Sequence, residues 1–230
     1  MKHRPYMPRT LLWLTIYAIA MAYLEAAVVV YLRELYYPEN VLQIFPPKMF
    51  RPLDVIVELG REVATIVMMI AVALLAEQRN RLRQFAAFVF QFGVWDVFYY
   101  IWLKVLIGWP VSWREWDILF LIPWAWFGPW LTPVVIALLF VLWGYWLLKN
   151  EAVPVWSTIG VMGFIVGALL ALLAFLQPAI PLLVAGNVEK IRQFVPEGFW
   201  WWTYIPGVVL MTWGLWRVRF VDQTKEKGNH

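Results

Sequence analysis

The sequence predicts an all-α fold: a polytopic transmembrane bundle of about six helices, with a proline-broken interfacial or re-entrant segment before the fourth span. Three observations predict it. Apolar residues make up 63% of the 230-residue chain and charged residues only 15%, against roughly 45–50% and about 25% in a soluble domain. The apolar residues gather into runs near the ~20 residues that a helix needs to cross the hydrocarbon core. No run shows the strand alternation that a closed membrane barrel requires, so the spans are helices, whose backbone groups are satisfied internally.

The runs can be taken in order, as one membrane domain covering residues 1–230. The first span is 11–32, interrupted only by Glu25. Lys2, Arg4 and Arg9 before it resemble the basic region of a signal peptide, and Ala18-Ile19-Ala20 resembles a cleavage site. The apolar run continues through Val30, past a normal signal core, so an uncleaved helix is expected. The second span is 55–76, with Glu58, Arg61 and Glu62 near its start. The third is 85–107, with Asp96 at its middle and Lys104 near its end. Residues 118–148 are too long for one helix, and Pro123, Pro129 and Pro133 interrupt them. Proline removes a helix donor and kinks or ends a helix. Residues 118–127 are therefore expected to be interfacial or re-entrant, and 130–148 to be the fourth span. The fifth is 155–176 and the sixth 199–218. Gly163-x-x-x-Gly167 in the fifth is a close-packing pattern for membrane helices, expected inside the bundle, with homodimerisation as the alternative.

Charge orients the bundle. Six spans leave both termini on one side, which holds eleven basic and four acidic side chains, or +7. The other side holds six basic and seven acidic, or −1. Positive loops stay cytoplasmic, so both termini are expected in the cytoplasm of a bacterial cell, with the protein in the inner membrane. Arg79, Arg81 and Arg83, in the first inner loop, set this topology or meet anionic lipid headgroups. The tryptophans suit the same orientation: most of the 17 fall where interfacial aromatic belts form. No basic patch with interleaved aromatics suggests a nucleic-acid partner. With no cysteine, and only His3 and His230 at the termini, disulfides, thiolate metal sites, histidine-ligated haem and a Ser-His-Asp triad are excluded.

Six charges remain inside the spans: Glu25, Glu58, Arg61, Glu62, Asp96 and Lys104, with a net charge of −2. Each such charge costs about 2.5–3.5 kcal/mol on the more lenient insertion scale and normally faces a bundle interior or wet cavity. At about 1.5 Å per residue, Glu25 and Glu62 lie roughly 10 Å deep, Glu58 and Lys104 about 5 Å, and Asp96 about 16 Å. Three helices thus bring charge to one level of the outer half. Asp54, Glu58, Arg61, Glu62 and Thr65 form a stripe on the second span; Asp96, Tyr99, Tyr100 and Lys104 form one on the third. The excess acid implies protonated carboxyls, a bound cation, or Arg33, Lys48 or Arg51 folding in from the outer loop. Asp117, at the outer mouth, could extend the carboxylate set; a solvated loop acid is the plainer expectation.

Glu58-x-x-Arg61-Glu62-x-x-Thr65 and Phe92-Gly93-x-Trp95-Asp96-x-x-Tyr99-Tyr100-x-x-Leu103-Lys104-x-x-x-Gly108-Trp109-Pro110 resemble a family of bacterial polytopic membrane proteins. The resemblance covers about the first 150 residues. It implies no reaction, and supports treating the two stripes as one site.

The expected site is therefore a pocket open to the periplasmic side, formed by Glu25, Glu58, Arg61, Glu62, Asp96, Tyr99, Tyr100 and Lys104. It would bind a proton, a cation, or a small or lipidic substrate in a carrier. An intramembrane enzyme using the carboxylates as acid and base on a lipid-like substrate is one alternative. An accessory subunit of a membrane complex, or a charge network that only fastens helices, is another. No organic cofactor is expected. A divalent cation would be held by Glu58, Glu62 and Asp96, since hard cations prefer oxygen ligands.

Overall fold

A computed structural model describes residues 8–48, 51–78, 80–123, 125–180 and 194–221. Six α-helices run through them: α1 (Pro8–Tyr36), α2 (Pro52–Ala76), α3 (Arg81–Ile107), α4 (Leu131–Lys149), α5 (Thr158–Leu176) and α6 (Trp201–Leu215). Five stretches, Arg9–Tyr36, Pro52–Ala76, Arg81–Ile107, Leu131–Lys149 and Thr158–Ala179, are long and apolar enough to cross a membrane. The chain is a multi-pass integral membrane protein. α6 differs from the sixth span expected from sequence: its 15 residues reach about 22 Å, short of the roughly 30 Å hydrocarbon core.

Local chemistry sets the helix ends. Pro52 opens α2, where its missing N–H costs nothing. Asn80 caps α3 by accepting from the Arg83 N–H at 3.0 Å. Gly108 closes α3 in the left-handed region, at φ 76°. Ser157 caps α5 by accepting from the Gly160 N–H at 3.2 Å.

Two short antiparallel sheets lie at opposite ends of the bundle. β1 (Trp116–Phe120) pairs with β2 (Trp126–Pro129), and β3 (Val153–Trp156) pairs with β4 (Val218–Val221). The expected re-entrant piece is therefore a β-hairpin. Residues 153–156, partly assigned to the fifth span, and 218, assigned to the sixth, belong to strands instead. Backbone pairing satisfies groups at both places that a short helix would leave open.

Glycines close the helix pairs. α3 and α4 run antiparallel, with Gly93 against Ala137 and Val141, and Gly144 against Ala86 and Phe90. α5 and α6 do the same: Gly160 faces Gly214 and Arg217, Gly163 faces Trp213, and Gly167 faces Gly207 and Met211. Gly163 and Gly167 thus serve packing inside the chain. α1 and α2 each pack mainly on α3.

At the β3–β4 end, side chains take up the helix carbonyls left open at C-termini. Trp143 Nε1 donates to Leu215 O at 2.7 Å, and Trp156 Nε1 to Gly214 O at 2.8 Å. Arg83 donates to the carbonyls of Leu148, Asn150 and Ala152. Arg83 is therefore buried in the first turn of α3 and bonded to carbonyls, rather than a loop charge turned to lipid headgroups. Not all the tryptophans are interfacial: Trp143 and Trp109 are core residues, 0% and 1% exposed. Trp13, Trp113 and Trp202 are well exposed, as belt residues are. Trp124, Arg79 and most of the charged termini lie outside the described residues.

A methyl group at Gly167 would come within 2.5 Å of Gly207 O and Met211 N, whereas one at Gly60 meets nothing within 4 Å. Gly167→Val is expected to lower the thermal unfolding temperature in detergent, by the equivalent of about 1–3 kcal/mol. Gly60→Ala is expected to leave it unchanged or raise it. Equal melting of Gly167→Val and the native chain would contradict the α5–α6 seam.

Candidate functional site

At the β1–β2 end, α1, α2, α3 and the hairpin enclose a cavity of about 140 Å³. Two guanidinium groups, Arg33 and Arg61, line it with six carboxyl groups: Glu25, Asp54, Glu58, Glu62, Asp96 and Asp117. Trp95, Tyr99 and Tyr100 supply aromatic wall, and Val29, Leu32, Val55, Ile118, Leu119 and Leu121 supply aliphatic wall.

α1 and α2 are tied across the cavity by charge. Arg61 forms ion pairs with Glu25 of α1 and with Glu58 one turn before it on α2. The Thr65 hydroxyl donates to Glu25 Oε2 at 3.4 Å. Glu25, Glu62 and Thr65 are all buried. On α2, Glu62 and Thr65 continue into buried Met69 and Ala73, so the charged stripe is the upper part of the face that packs inward.

The hairpin brings a partner to Glu62. The Leu121 N–H, just past β1, donates to both Glu62 oxygens at 3.0 Å. Glu62 lies ten residues into α2, about 15 Å along it, so the hairpin turn reaches well down the bundle. β1 also carries Asp117, which is 2% exposed. Its carboxylate faces Arg33 Nη2 at 3.5 Å and accepts from the Tyr100 hydroxyl at 3.2 Å. The Arg33 guanidinium stacks over the Trp109 ring, 4.2 Å from its centre.

Seven of the eight residues chosen from sequence line this one cavity: Glu25, Glu58, Arg61, Glu62, Asp96, Tyr99 and Tyr100. Lys104 does not. Its side chain is exposed to the outside, and Nζ donates to Gly108 O at 2.9 Å and Pro110 O at 2.8 Å. The left-handed turn at Gly108 folds these carbonyls back over the end of α3, where an ammonium is favoured. Lys104 is a helix cap and pairs with no cavity acid.

The proposed divalent-ion ligands Glu58, Glu62 and Asp96 do not gather either. Among the described residues no group of three or more such side chains is arranged to hold a metal ion. Glu58 is turned onto Arg61, and Glu62 onto the Leu121 N–H.

Sequence reasoning offered Arg33 as one of three outer-loop cations that could fold in, and gave Asp117 the plainer role of a solvated acid; both are buried. The signal for Arg33 was available. Glu25, Val29, Leu32 and Arg33 follow helical spacing, and α1 runs on to Tyr36. No local signal marks Asp117, because its burial depends on the hairpin folding inward. Asp54 keeps partners at the rim, with Arg51 at 2.8 and 2.9 Å and the Tyr36 hydroxyl.

Asp96 stands apart. Its Oδ2 is buried with no hydrogen-bond partner among the described residues, and so is the neighbouring Trp95 Nε1.

Burial pushes the Asp117 carboxyl up to about 6, against the opposing pull of Arg33. The folded group keeps its proton to a higher pH than an unfolded aspartate, which titrates near 3.8. Its contribution to stability is thus full below pH 3.8 and lost as pH rises through about 6. The loss corresponds to about 3 kcal/mol. Between pH 4 and pH 8, the native chain is expected to lose stability relative to Asp117→Asn by roughly that amount in detergent unfolding. A difference that stays constant with pH would contradict it.

No family model matches the chain, and comparison with curated proteins and with solved structures gives no match.

Proposed function

We propose that this chain is a small carrier that binds a proton or cation in the acidic cavity. One observation carries the reading: carboxylates from three helices and the hairpin share one cavity with too few cations to answer them. Glu25 and Glu58 share the single charge of Arg61, and Arg33 answers Asp117. Glu62 has a backbone donor and Asp96 has no partner at Oδ2. These two acids are the proton- or cation-binding groups. Arg61 and Arg33 tune them and fix the surrounding helices. A network that only fastens helices would be expected to pair its acids fully, since unmatched charge in a membrane interior is costly.

The charge asymmetry supports a bacterial inner-membrane location with both termini in the cytoplasm, so that the cavity opens toward the periplasm. The chain has no cysteine, so single-cysteine variants report topology cleanly. Ser112→Cys, next to the hairpin, is expected to react with a membrane-impermeant maleimide in spheroplasts. Glu151→Cys, at the other end, is expected to react only after permeabilisation. The reverse pattern would invert the orientation.

Reconstituted in liposomes, the protein is expected to move protons or cations down an imposed gradient. Glu62→Gln and Asp96→Asn are each expected to reduce the flux at least ~10-fold, as loss of a charge-assisted contact worth about 1.5–3 kcal/mol implies. Native flux in both variants would remove the carrier reading.

A further inference from the structure

We propose that the cavity takes a small organic ammonium ion, with its charge against Asp96 and its alkyl groups against Trp95 and Tyr99. This deepens the carrier reading by naming the ligand class and rests on that reading for its biological use.

Most charges that line the cavity already have partners. Arg61 is held by Glu25 and Glu58, and Arg33 by Asp117 and the Trp109 ring. Arg33 Nη1 keeps no hydrogen-bond partner among the described residues, but each guanidinium already faces a carboxylate and the cavity holds six carboxyl groups to two guanidinium groups, so its charge favours a cation over an anion. Among the cavity acids, the Asp96 Oδ2 is buried and has no hydrogen-bond partner among the described residues. A buried oxygen without a donor costs about 1–3 kcal/mol, more when charged. A ligand carrying both a donor and a positive charge removes that cost.

The walls select among cations. A bare divalent ion wants six or more oxygens in its shell, and the cavity does not gather them. An ammonium ion needs one carboxylate and is attracted to aromatic faces. Trp95 and Tyr99, one turn apart on α3, line the cavity with Asp96, their rings 6.5 Å apart and nearly parallel at 25°. Val29 and Val55 add aliphatic surface toward α1 and α2. At about 140 Å³ the cavity is smaller than the roughly 300 Å³ of typical drug-sized pockets. It therefore suits an ion of a few heavy atoms.

Calorimetric titration of the purified full chain in detergent tests this. The probe is n-butylammonium chloride, compared with n-butanol and with sodium chloride at matched ionic strength. Saturable binding of butylammonium is expected, with butanol and sodium at least ~10-fold weaker. Asp96→Asn is expected to weaken butylammonium at least ~10-fold. Trp95→Leu is expected to weaken it several-fold. Lys104→Gln, outside the cavity, is expected to bind as the native chain does.

Butanol binding as tightly as butylammonium would overturn the proposal, as would native affinity in Asp96→Asn. The butanol comparison uses the native chain, so the test survives a variant that does not fold. Binding here is read without a gradient. Its failure overturns the ligand class alone, while absent flux in liposomes bears on the carrier reading alone.

Discussion

Arg61 holds the carboxylates of Glu25 on α1 and Glu58 on α2 at once, and the arrangement of the first three helices follows from it. α1 and α2 both lean on α3 and touch each other little. In a medium that solvates charge poorly, a guanidinium brought in by one helix must be met by acids nearby. Removing one partner of a buried pair typically costs about 3–5 kcal/mol, because the other charge is stranded. The pairing fixes the register of α1 against α2 and keeps a gap above it. That gap becomes the cavity.

The same constraint shapes the opposite end by different means. There the groups to be satisfied are backbone carbonyls rather than carboxylates. Arg83, Trp143 and Trp156 turn inward to reach the ends of α4 and α6. The glycine seams of α3–α4 and α5–α6 let backbones approach so closely that a methyl group would clash. One end of the bundle is thus closed by hydrogen bonds and small residues. The other retains a polar cavity bounded by a hairpin.

The hairpin changes what the cavity is. Without it, Glu62 would have no backbone donor and Arg33 would have no partner carboxylate. With it, Glu62 receives a backbone donor and Asp117 meets Arg33 and Tyr100. Every cavity acid but Asp96 then has a hydrogen-bond or ion-pair partner among the described residues, although the charge excess remains. The chemistry expected of the site moves accordingly, from a general acidic pocket to one unpartnered carboxylate in a cavity that Trp95 and Tyr99 also line.

Much of this was legible in the sequence. Long apolar runs determined a helical membrane protein, because lipid leaves few ways to satisfy a backbone. Charges spaced by three and four residues determined that Glu58, Arg61, Glu62 and Thr65 share a face, as do Asp96, Tyr99 and Tyr100. Periodicity states which residues of one helix point together; it does not state what they meet. The tertiary structure decided that Glu25 closes on Arg61, that Lys104 turns away onto carbonyls, and that Arg33 and Asp117 are interior. It also made a hairpin of the proline-rich stretch and a 15-residue helix with a strand of the last apolar run. The physical reason is that burial of a charge depends on partners distant in the chain, and local spacing carries no record of them.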